Sequence, residues 1–138
     1  MKRFVLLLAA SLLLLAGCGS GKREREKEEP AASGSYRQIS QEEALRMMEE
    51  ETGYVILDVR RADEFEAGHI PNALLIPNES IEDVPPAQLP DKEQLILIYC
   101  RSGNRSKQAA QKLADMGYVN VCEFGGINTW PGEIVTGE

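Results

Sequence analysis

The segment "LILIYCRSGNRS", residues 95–106, decides the architecture of this chain. Residues 95–99 are all apolar, which is typical of a strand buried on both faces. Strands of that kind belong to parallel sheets that are covered by helices. The run ends at Cys100, and a polar stretch with two arginines and a glycine follows at once. The segment therefore predicts a buried parallel strand that leads directly into a polar loop carrying a cysteine.

Three more apolar runs predict the other strands of the sheet. They cover residues 54–59, 73–77 and 118–124, and they are rich in aliphatic and aromatic residues. The first is apolar at nearly every position, which again indicates a strand buried on both faces. These runs and the segment at 95–99 predict a central sheet that is mainly parallel.

Two stretches have the residue pattern of amphipathic helices. The first begins at Ser40, which forms an S-x-x-E capping box with Glu43, and it ends near Gly53. The second follows the polar loop and carries an apolar stripe made of Ala109, Ala110, Leu113 and Ala114. Strands that alternate with helices indicate an α/β domain, with helices on both faces of the sheet.

Length and charge exclude some classes of protein. A chain of 138 residues suits one domain with short extra segments, and 43% hydrophobic residues allow a real core. The net charge of -7 leaves no basic face to neutralise phosphates, so we expect no nucleic-acid partner. The acidic surface is interpreted as a source of solubility.

The N-terminal segment is predicted to be an export signal. Lys2 and Arg3 precede an apolar run, 4–16, that is shorter than the roughly 20 residues of a membrane span. The run ends in "LAGC", which resembles the lipobox of bacterial lipoproteins. The resemblance implies that Cys18 is lipidated and becomes the new N-terminus. An ordinary signal peptide and a membrane stub are the alternatives.

Three regions follow from this interpretation: a lipoprotein signal peptide at 1–17, a lipidated flexible tether at 18–35 and a folded domain at 36–138. The tether mixes charges of both signs with Pro, Ala, Ser and Gly, and its apolar surface is too small to offset the entropy of ordering. The lipid on Cys18 would anchor the protein to the cell membrane. The domain would then face outside the cytoplasm, at the cell surface or in the periplasm.

The loop after the central strand has the composition of a nucleophile site. Cys100 lies at the carboxyl end of a strand, where open α/β sheets place their ligand sites. The following helix N-terminus, Arg101 and Arg105 favour a thiolate, and the pKa of the thiol is therefore expected to fall. Gly103 permits a positive φ in a tight turn. The small polar side chains that can donate hydrogen bonds there are Ser102, Asn104 and Ser106.

The remaining cysteine has a different context. Cys122 lies in "YVNVCEFGG", a strand pattern in which a small apolar residue is ordinary. We therefore expect a buried structural thiol. A redox pair between Cys100 and Cys122 is the alternative, although no C-x-x-C motif is present.

Four stretches of the chain together resemble the rhodanese family. They are "ILDVRRADEFEAGHIPNALLIP" (56–77), "IYCRSGNRS" (98–106), "AAQKLADMGYVNV" (109–121) and "FGGINTW" (124–130). The resemblance implies the rhodanese-like α/β fold and sulfurtransferase chemistry through a Cys100 persulfide, with no metal and no organic cofactor. It implies a small-molecule sulfur donor such as thiosulfate and a thiol or cyanide acceptor, and we expect a monomer.

The spacing of Cys100 and Arg105 is C-x4-R. Phosphatases with a related fold have a loop that is one residue longer, and the shorter ring of N–H groups suits a single sulfur better than a phosphate. The spacing therefore disfavours phosphatase and arsenate chemistry. A sulfur carrier, sensor or binding module without significant turnover remains the rival hypothesis.

The resemblance assigns supporting roles to residues outside the loop. Asp58 is expected to anchor loops by hydrogen bonds, Arg60 to form a local ion pair with Glu64, and His69 to hold a turn. Arg105 has two open roles. It either binds the sulfonate oxygens of the donor or braces the loop against an acidic residue such as Asp58.

Replacing Cys18 tests the export prediction. Cys18→Ala should leave the precursor without lipid and release the domain from its membrane attachment, because the lipid is attached through the cysteine sulfur. Detergent-phase partitioning of cells grown with a labelled fatty acid would measure this. A Cys18→Ala protein that still carries lipid would refute the lipobox assignment.

Overall fold

The computed structural model describes residues 34–137. The predicted signal peptide, Cys18 and nearly all of the predicted tether lie outside the described residues. No helix between residues 34 and 137 is long and apolar enough to cross a membrane.

A five-stranded sheet forms the centre of the domain. Its strands are β1 (Arg37–Gln38), β2 (Val55–Asp58), β3 (Leu74–Leu75), β4 (Ile96–Cys100) and β5 (Val121–Gly126). The spatial order is β1-β5-β4-β2-β3, and every neighbouring pair is parallel. β4 is the middle strand and all five of its residues are buried. The prediction of a central buried strand at 95–99 is therefore confirmed, with the strand shifted by one residue.

Helices cover both faces of the sheet, as predicted. They are α1 (Gln41–Glu50), α2 (Ala62–Ala67) and α3 (Asn104–Asp115). The Oγ of Ser40 accepts the backbone N–H of Glu43 at 3.1 Å, so the predicted N-cap of α1 is present. Ala44 of α1 packs on one face, and the apolar stripe of α3 packs on the other.

The sheet separates two hydrophobic clusters, and alternation along each strand decides which one a side chain joins. On β4, Ile98 and Cys100 join the cluster under α3, whereas Tyr99 joins the cluster under α1. On β5, Cys122 and Phe124 belong to the α1 cluster. The two cysteines of the domain therefore lie on opposite faces.

This placement excludes the alternative of a redox pair. In the sheet, Cys122 pairs with Leu97, which precedes Cys100 by three residues on β4. The Cα atoms of Cys100 and Cys122 are therefore about 10 Å apart. A disulfide needs Cα atoms within about 7 Å of each other. Both thiols are buried and they form no disulfide with each other, and the prediction that Cys122 is a buried thiol is confirmed.

Some elements have no strong local pattern, and sequence inspection missed them. β1 has two residues and becomes a strand only because it pairs with β5. α2 has six residues, and its start is held by Glu64, whose carboxylate accepts the N–H of Arg61 at 3.0 Å. β5 begins three residues later than predicted and contains one extra residue opposite β4.

Candidate active site

A three-residue loop places Cys100 at the start of a helix. β4 ends at Cys100 and α3 begins at Asn104, with Gly103 as the N-cap residue. Gly103 has φ +108°, a left-handed conformation that glycine adopts easily and other residues do not. The turn brings the backbone N–H of Gly103 to 3.0 Å from the Cys100 Sγ. The loop therefore aims backbone dipoles at the sulfur.

Gly126 on β5 holds the loop from the other side. It is the sheet partner of Cys100, and the carbonyl of Arg101 packs directly on its Cα. A Cβ added at Gly126 would lie 2.0 Å from the Arg101 oxygen, so only glycine fits. The N–H of Asn128 donates to that same oxygen at 3.2 Å. Gly126, the second glycine of "FGGINTW", thus shapes the loop by close backbone packing.

The Cys100 sulfur is buried and hydrogen-bonded. Its side chain is 1% exposed, and its Sγ lies 3.4 Å from the Ser106 Oγ. Burial raises the pKa of the thiol, but hydrogen bonds from the Ser106 side chain and from the backbone of Ser106, Gly103 and Ser102 lower it by more. The pKa of Cys100 therefore lies below its ordinary value. A lowered pKa increases the share of the nucleophilic thiolate at a given pH.

Glu123 is a site residue that the sequence analysis did not identify. It lies on β5, is 3% exposed, and accepts the Ser106 hydroxyl at 2.7 Å and the Gly125 N–H at 2.8 Å. Its position in the sequence is the signal that could have identified Glu123 as a site residue. Glu123 alternates with the apolar residues Cys122 and Phe124 in a buried strand, where a carboxylate is unusual.

Arg105 holds the loop in place through an ion pair, and its guanidinium is therefore not available beside the sulfur. Its guanidinium makes two hydrogen bonds to the Glu64 carboxylate, at 2.7 and 2.9 Å. One predicted pairing is therefore wrong, because Glu64 binds Arg105 rather than Arg60. Of the two open roles of Arg105, the structure shows the bracing of the loop against an acidic residue, with Glu64 and not Asp58 as the partner. The reason is the position of α2, which carries Glu64 to the start of α3 and which no local pattern predicted. The hydrogen bond from Arg105 holds the pKa of Glu64 at about 2.

Asp58 and Arg60 form a separate buried network on the α1 face of the sheet. Arg60 donates to both carboxylate oxygens of Asp58 and, at 2.7 Å, to the Gly68 carbonyl. Tyr99 donates its hydroxyl to Asp58 at 2.7 Å and accepts the Ile70 N–H at 3.1 Å. Burial, with the Asp58 charge, raises the pKa of Tyr99 far above its ordinary value. This network ties β2 and β4 to residues 68–70, and it points away from Cys100.

His69 makes structural contacts. Its Nδ1 lies 2.8 Å from the Phe65 carbonyl oxygen, so Nδ1 carries a proton and donates it. Its ring stacks on Phe65 with centroids 3.7 Å apart, and its backbone pairs with Val135. The structure therefore places His69 at a turn, outside hydrogen-bond reach of the loop.

The other loop side chains face solvent. Arg101, Ser102 and Asn104 are exposed, and the Ser102 backbone is one of the groups that lower the pKa of Cys100. In the described part of the chain, the Arg101 guanidinium has neither a hydrogen-bond nor an ion-pair partner. One cation beside the loop is thus available to a ligand.

A family model described as a rhodanese-like domain matches residues 40–133. The chain belongs to the rhodanese family. Thiosulfate sulfurtransferase GlpE of Coxiella burnetii is 36% identical to this rhodanese domain over 96 residues, which cover 69% of the chain and 87% of that protein. Adenylyltransferase and sulfurtransferase UBA4 of Meyerozyma guilliermondii is 38% identical over 89 residues. That match covers 59% of the chain and spans only 21% of the longer protein.

Solved structures support the same assignment. A structure described as a rhodanese with anions from E. coli superposes with a TM-score of 0.56 at 30% sequence identity. The match covers 61% of this chain and 99% of that structure. The predicted rhodanese-like fold is therefore confirmed.

Substitution of Gly126 should disturb the loop. Gly126→Ala forces a methyl group against the Arg101 carbonyl, and overpacking of this kind destabilises a fold by about 1–3 kcal/mol. We expect a lower midpoint in denaturant unfolding and a changed rate of Cys100 alkylation. Glu49→Ala is the control, because Glu49 is an exposed residue of α1 outside the loop. Equal alkylation rates in all three proteins would show that Gly126 does not shape the loop.

The Glu64–Arg105 pair should make stability depend on acid pH. The pKa of Glu64 is lowered from 4.5 to about 2, so its stabilisation is present above about pH 4.5 and is lost as pH falls toward 2. After allowance for solvent screening, we expect roughly 1–2 kcal/mol. Urea unfolding at several pH values should show this difference between the parent and Glu64→Gln. Glu66→Gln, an exposed site on the same helix, should keep the parent's acid slope.

Proposed function

We propose that this rhodanese domain is a sulfurtransferase. It moves sulfane sulfur from thiosulfate or a related donor to a thiophilic acceptor through a persulfide on Cys100. The observation that carries the proposal is the buried Cys100 sulfur, which receives the Gly103 N–H at 3.0 Å at the start of α3. The similarity to GlpE, which is named as a thiosulfate sulfurtransferase, supports the choice of donor.

The first half of the reaction loads the sulfur. The Cys100 thiolate attacks the outer sulfur of thiosulfate, a new S–S bond forms, and the bond from that sulfur to the sulfonate breaks. Sulfite leaves with the bonding electron pair. The loop N–H groups, directed at the buried sulfur, stabilise the anionic persulfide as it develops.

The second half of the reaction delivers the sulfur. Cyanide or a thiolate attacks the outer sulfur of the persulfide, and Cys100 leaves as a thiolate. The same hydrogen bonds that lower the pKa of Cys100 also make it a good leaving group, because they stabilise its negative charge. The cycle returns the enzyme to its starting state without a metal or an organic cofactor.

Arg101 is the residue that we assign to the donor's sulfonate. Arg105 already makes two hydrogen bonds to Glu64, so binding a substrate would break an existing ion pair. Arg101 is exposed and next to Cys100, and its guanidinium has no partner within residues 34–137. A free guanidinium suits the oxygens of an anionic donor.

The size of the loop supports sulfur over phosphate. Only three residues, 101–103, separate β4 from α3, and the Gly103 N–H already contacts the Cys100 Sγ. A phosphoryl group would need a wider ring of donors around its three oxygens. The C-x4-R spacing therefore favours transfer of a single sulfur.

A sulfur carrier, sensor or binding module is the second candidate. In that case Cys100 would hold sulfur without releasing it at a useful rate. The burial of the thiol, at 1% exposure, is the observation in its favour, because an acceptor must reach a covered sulfur. Both functions require sulfur on Cys100, but only a sulfurtransferase would pass it to cyanide at a useful rate. Turnover with cyanide therefore distinguishes the two functions.

Lipid anchoring through Cys18 is a separate part of the proposal. It is supported by the "LAGC" motif after an apolar run and by the predicted tether at 18–35. The domain would work outside the cytoplasm, attached to a membrane. The catalytic proposal does not depend on it, because every residue of the site lies in the folded domain.

Replacement of Cys100 tests the proposed chemistry. Cys100→Ser should abolish thiosulfate-to-cyanide transfer and persulfide formation, because a hydroxyl cannot form the persulfide. Mass spectrometry of the protein before and after thiosulfate measures the one added sulfur, and thiocyanate release measures turnover. Cys122→Ser is the matched control, since Cys122 lies on the other face of the sheet, and we expect it to turn over at near the parent's rate.

Three results are informative. Wild-type turnover by Cys100→Ser would eliminate the proposed nucleophile. A parent that gains one sulfur on Cys100 but releases no thiocyanate would favour the carrier or sensor. Loss of activity in a well-folded Cys122→Ser protein would revive a role for the second thiol.

A further inference from the structure

Glu123 is a buried carboxylate that the sulfur-transfer scheme leaves unused. Its side chain lies on the Cys100 side of β5, because Cys122 and Phe124 on either side of it face the α1 cluster. Between residues 34 and 137, no lysine, arginine or histidine forms an ion pair with it. Burying a carboxylate without a cation is costly, so a buried partner for Glu123 is significant.

Ser106 connects this carboxylate to the nucleophile. Its side chain is fully buried in the first turn of α3, and its Oγ lies 2.7 Å from the Glu123 Oε1 and 3.4 Å from the Cys100 Sγ. A serine hydroxyl has one hydrogen to donate. The shorter contact assigns that hydrogen to Glu123, and the thiol S–H then donates to Ser106. The three groups form one chain of hydrogen bonds.

We propose that Glu123 is the proton acceptor for Cys100 and acts through Ser106. The inference rests on the proposed sulfurtransferase function. Cys100 passes its proton to the Ser106 Oγ while Ser106 passes its own hydrogen to the Glu123 Oε1. The products are a thiolate, an intact hydroxyl that now donates to the sulfur, and a neutral carboxylic acid. The trio carries one negative charge before and after, so atoms and charge balance without another reactant.

The stored proton has a use in each half of the cycle. While sulfur is bound, Glu123 stays neutral and does not repel the persulfide anion. When the acceptor removes the outer sulfur, the Cys100 thiolate leaves with a hydrogen bond from Ser106. The proton can then return along the same path. Glu123 touches neither donor nor acceptor and is therefore a positioning residue.

Few other charged groups face this chain of hydrogen bonds. From the N-terminal end of α3, the Arg105 guanidinium interacts electrostatically with Cys100, but it is paired with Glu64 of α2. The exposed Glu79 carboxylate also interacts electrostatically with Arg105. From the loop, Arg101 is exposed. From β1, the Arg37 guanidinium contacts the Cys122 sulfur on the opposite face of β5.

Uncharged groups complete the surroundings of Glu123 and Cys100. From α1, the Gln41 amide donates to the Gly126 carbonyl. From β5, the Gly125 N–H donates to Glu123 itself. From β4, the ionisable neighbour of Cys100 is Tyr99, which faces the α1 cluster with Asp58 and Arg60. The pH response of Cys100 should therefore be governed by Glu123 together with Arg105.

The pH profile of Cys100 alkylation tests the proposal. Two groups that share a proton titrate in two macroscopic steps that belong to the pair. In the full chain, we expect the iodoacetamide rate at Cys100, read from its peptide by mass spectrometry, to rise in two steps. In Glu123→Gln the amide keeps the shape but cannot take a proton. The profile of Glu123→Gln should then show one step, at a lower pH than the parent's upper step, because no negative charge at position 123 opposes formation of the Cys100 thiolate.

Controls separate the relay from structural effects. Glu49→Gln removes an equal charge from an exposed side chain of α1 and should keep two steps. A purely structural Glu123 would alter the unfolding midpoint and leave the number of steps unchanged. A parent profile with one step that coincides with that of Glu123→Gln would overturn the proposal. Alkylation needs no sulfur donor, so a parent that never forms a persulfide would refute the proposed function and leave this test intact.

A second pair of variants keeps the proposal testable if Glu123→Gln fails to fold. Ser106→Ala removes the bridging hydroxyl, and the amplitude of the lower alkylation step should fall about tenfold, as expected for loss of a hydrogen bond to a charged group. Ser106→Thr keeps the hydroxyl and should restore the step. If the lower alkylation step has the same amplitude in Ser106→Ala and Ser106→Thr, Ser106 does not carry the proton.

Discussion

Much of this structure serves to position one buried, hydrogen-bonded sulfur, that of Cys100. A thiolate formed at the end of a central strand would have almost no contact with water, and its charge would have to be balanced by the protein itself. The balance comes from the Gly103 N–H at 3.0 Å, the Ser106 hydroxyl and the positive end of α3. All three depend on a loop that joins β4 to α3 in three residues.

Distant elements hold that short loop in place. Gly126 lets the Arg101 carbonyl approach β5, and the Glu64–Arg105 pair fastens the first turn of α3 to α2. Neither contact touches the sulfur. Each one limits the positions that the loop backbone can adopt, and preorganised dipoles of this kind stabilise charge without reorganising during the reaction.

The polar groups on the two faces of the sheet have different roles. On the α1 face, Asp58, Arg60 and Tyr99 satisfy one another and fasten the segment that carries His69. On the α3 face, Ser106 and Glu123 surround Cys100 and leave a carboxylate without a cation in the described residues. A fully paired network stabilises a fold, whereas a buried acid without a cation is consistent with the proton relay proposed for Glu123.

The α/β architecture, the central strand, the N-cap at Ser40 and the loop that carries Cys100 could be predicted from the sequence. Those features follow from local patterns: unbroken apolar runs, a capping box and a cysteine beside arginines. The partners of Arg105 and Arg60, the opposite faces of Cys100 and Cys122, and the place of Glu123 beside Ser106 became visible only in the folded domain. These contacts join residues that are up to 41 positions apart, and their geometry depends on α2, on strand order and on the extra residue in β5. Local propensity does not encode which strands pair or in which register, so no pattern within one segment could reveal them.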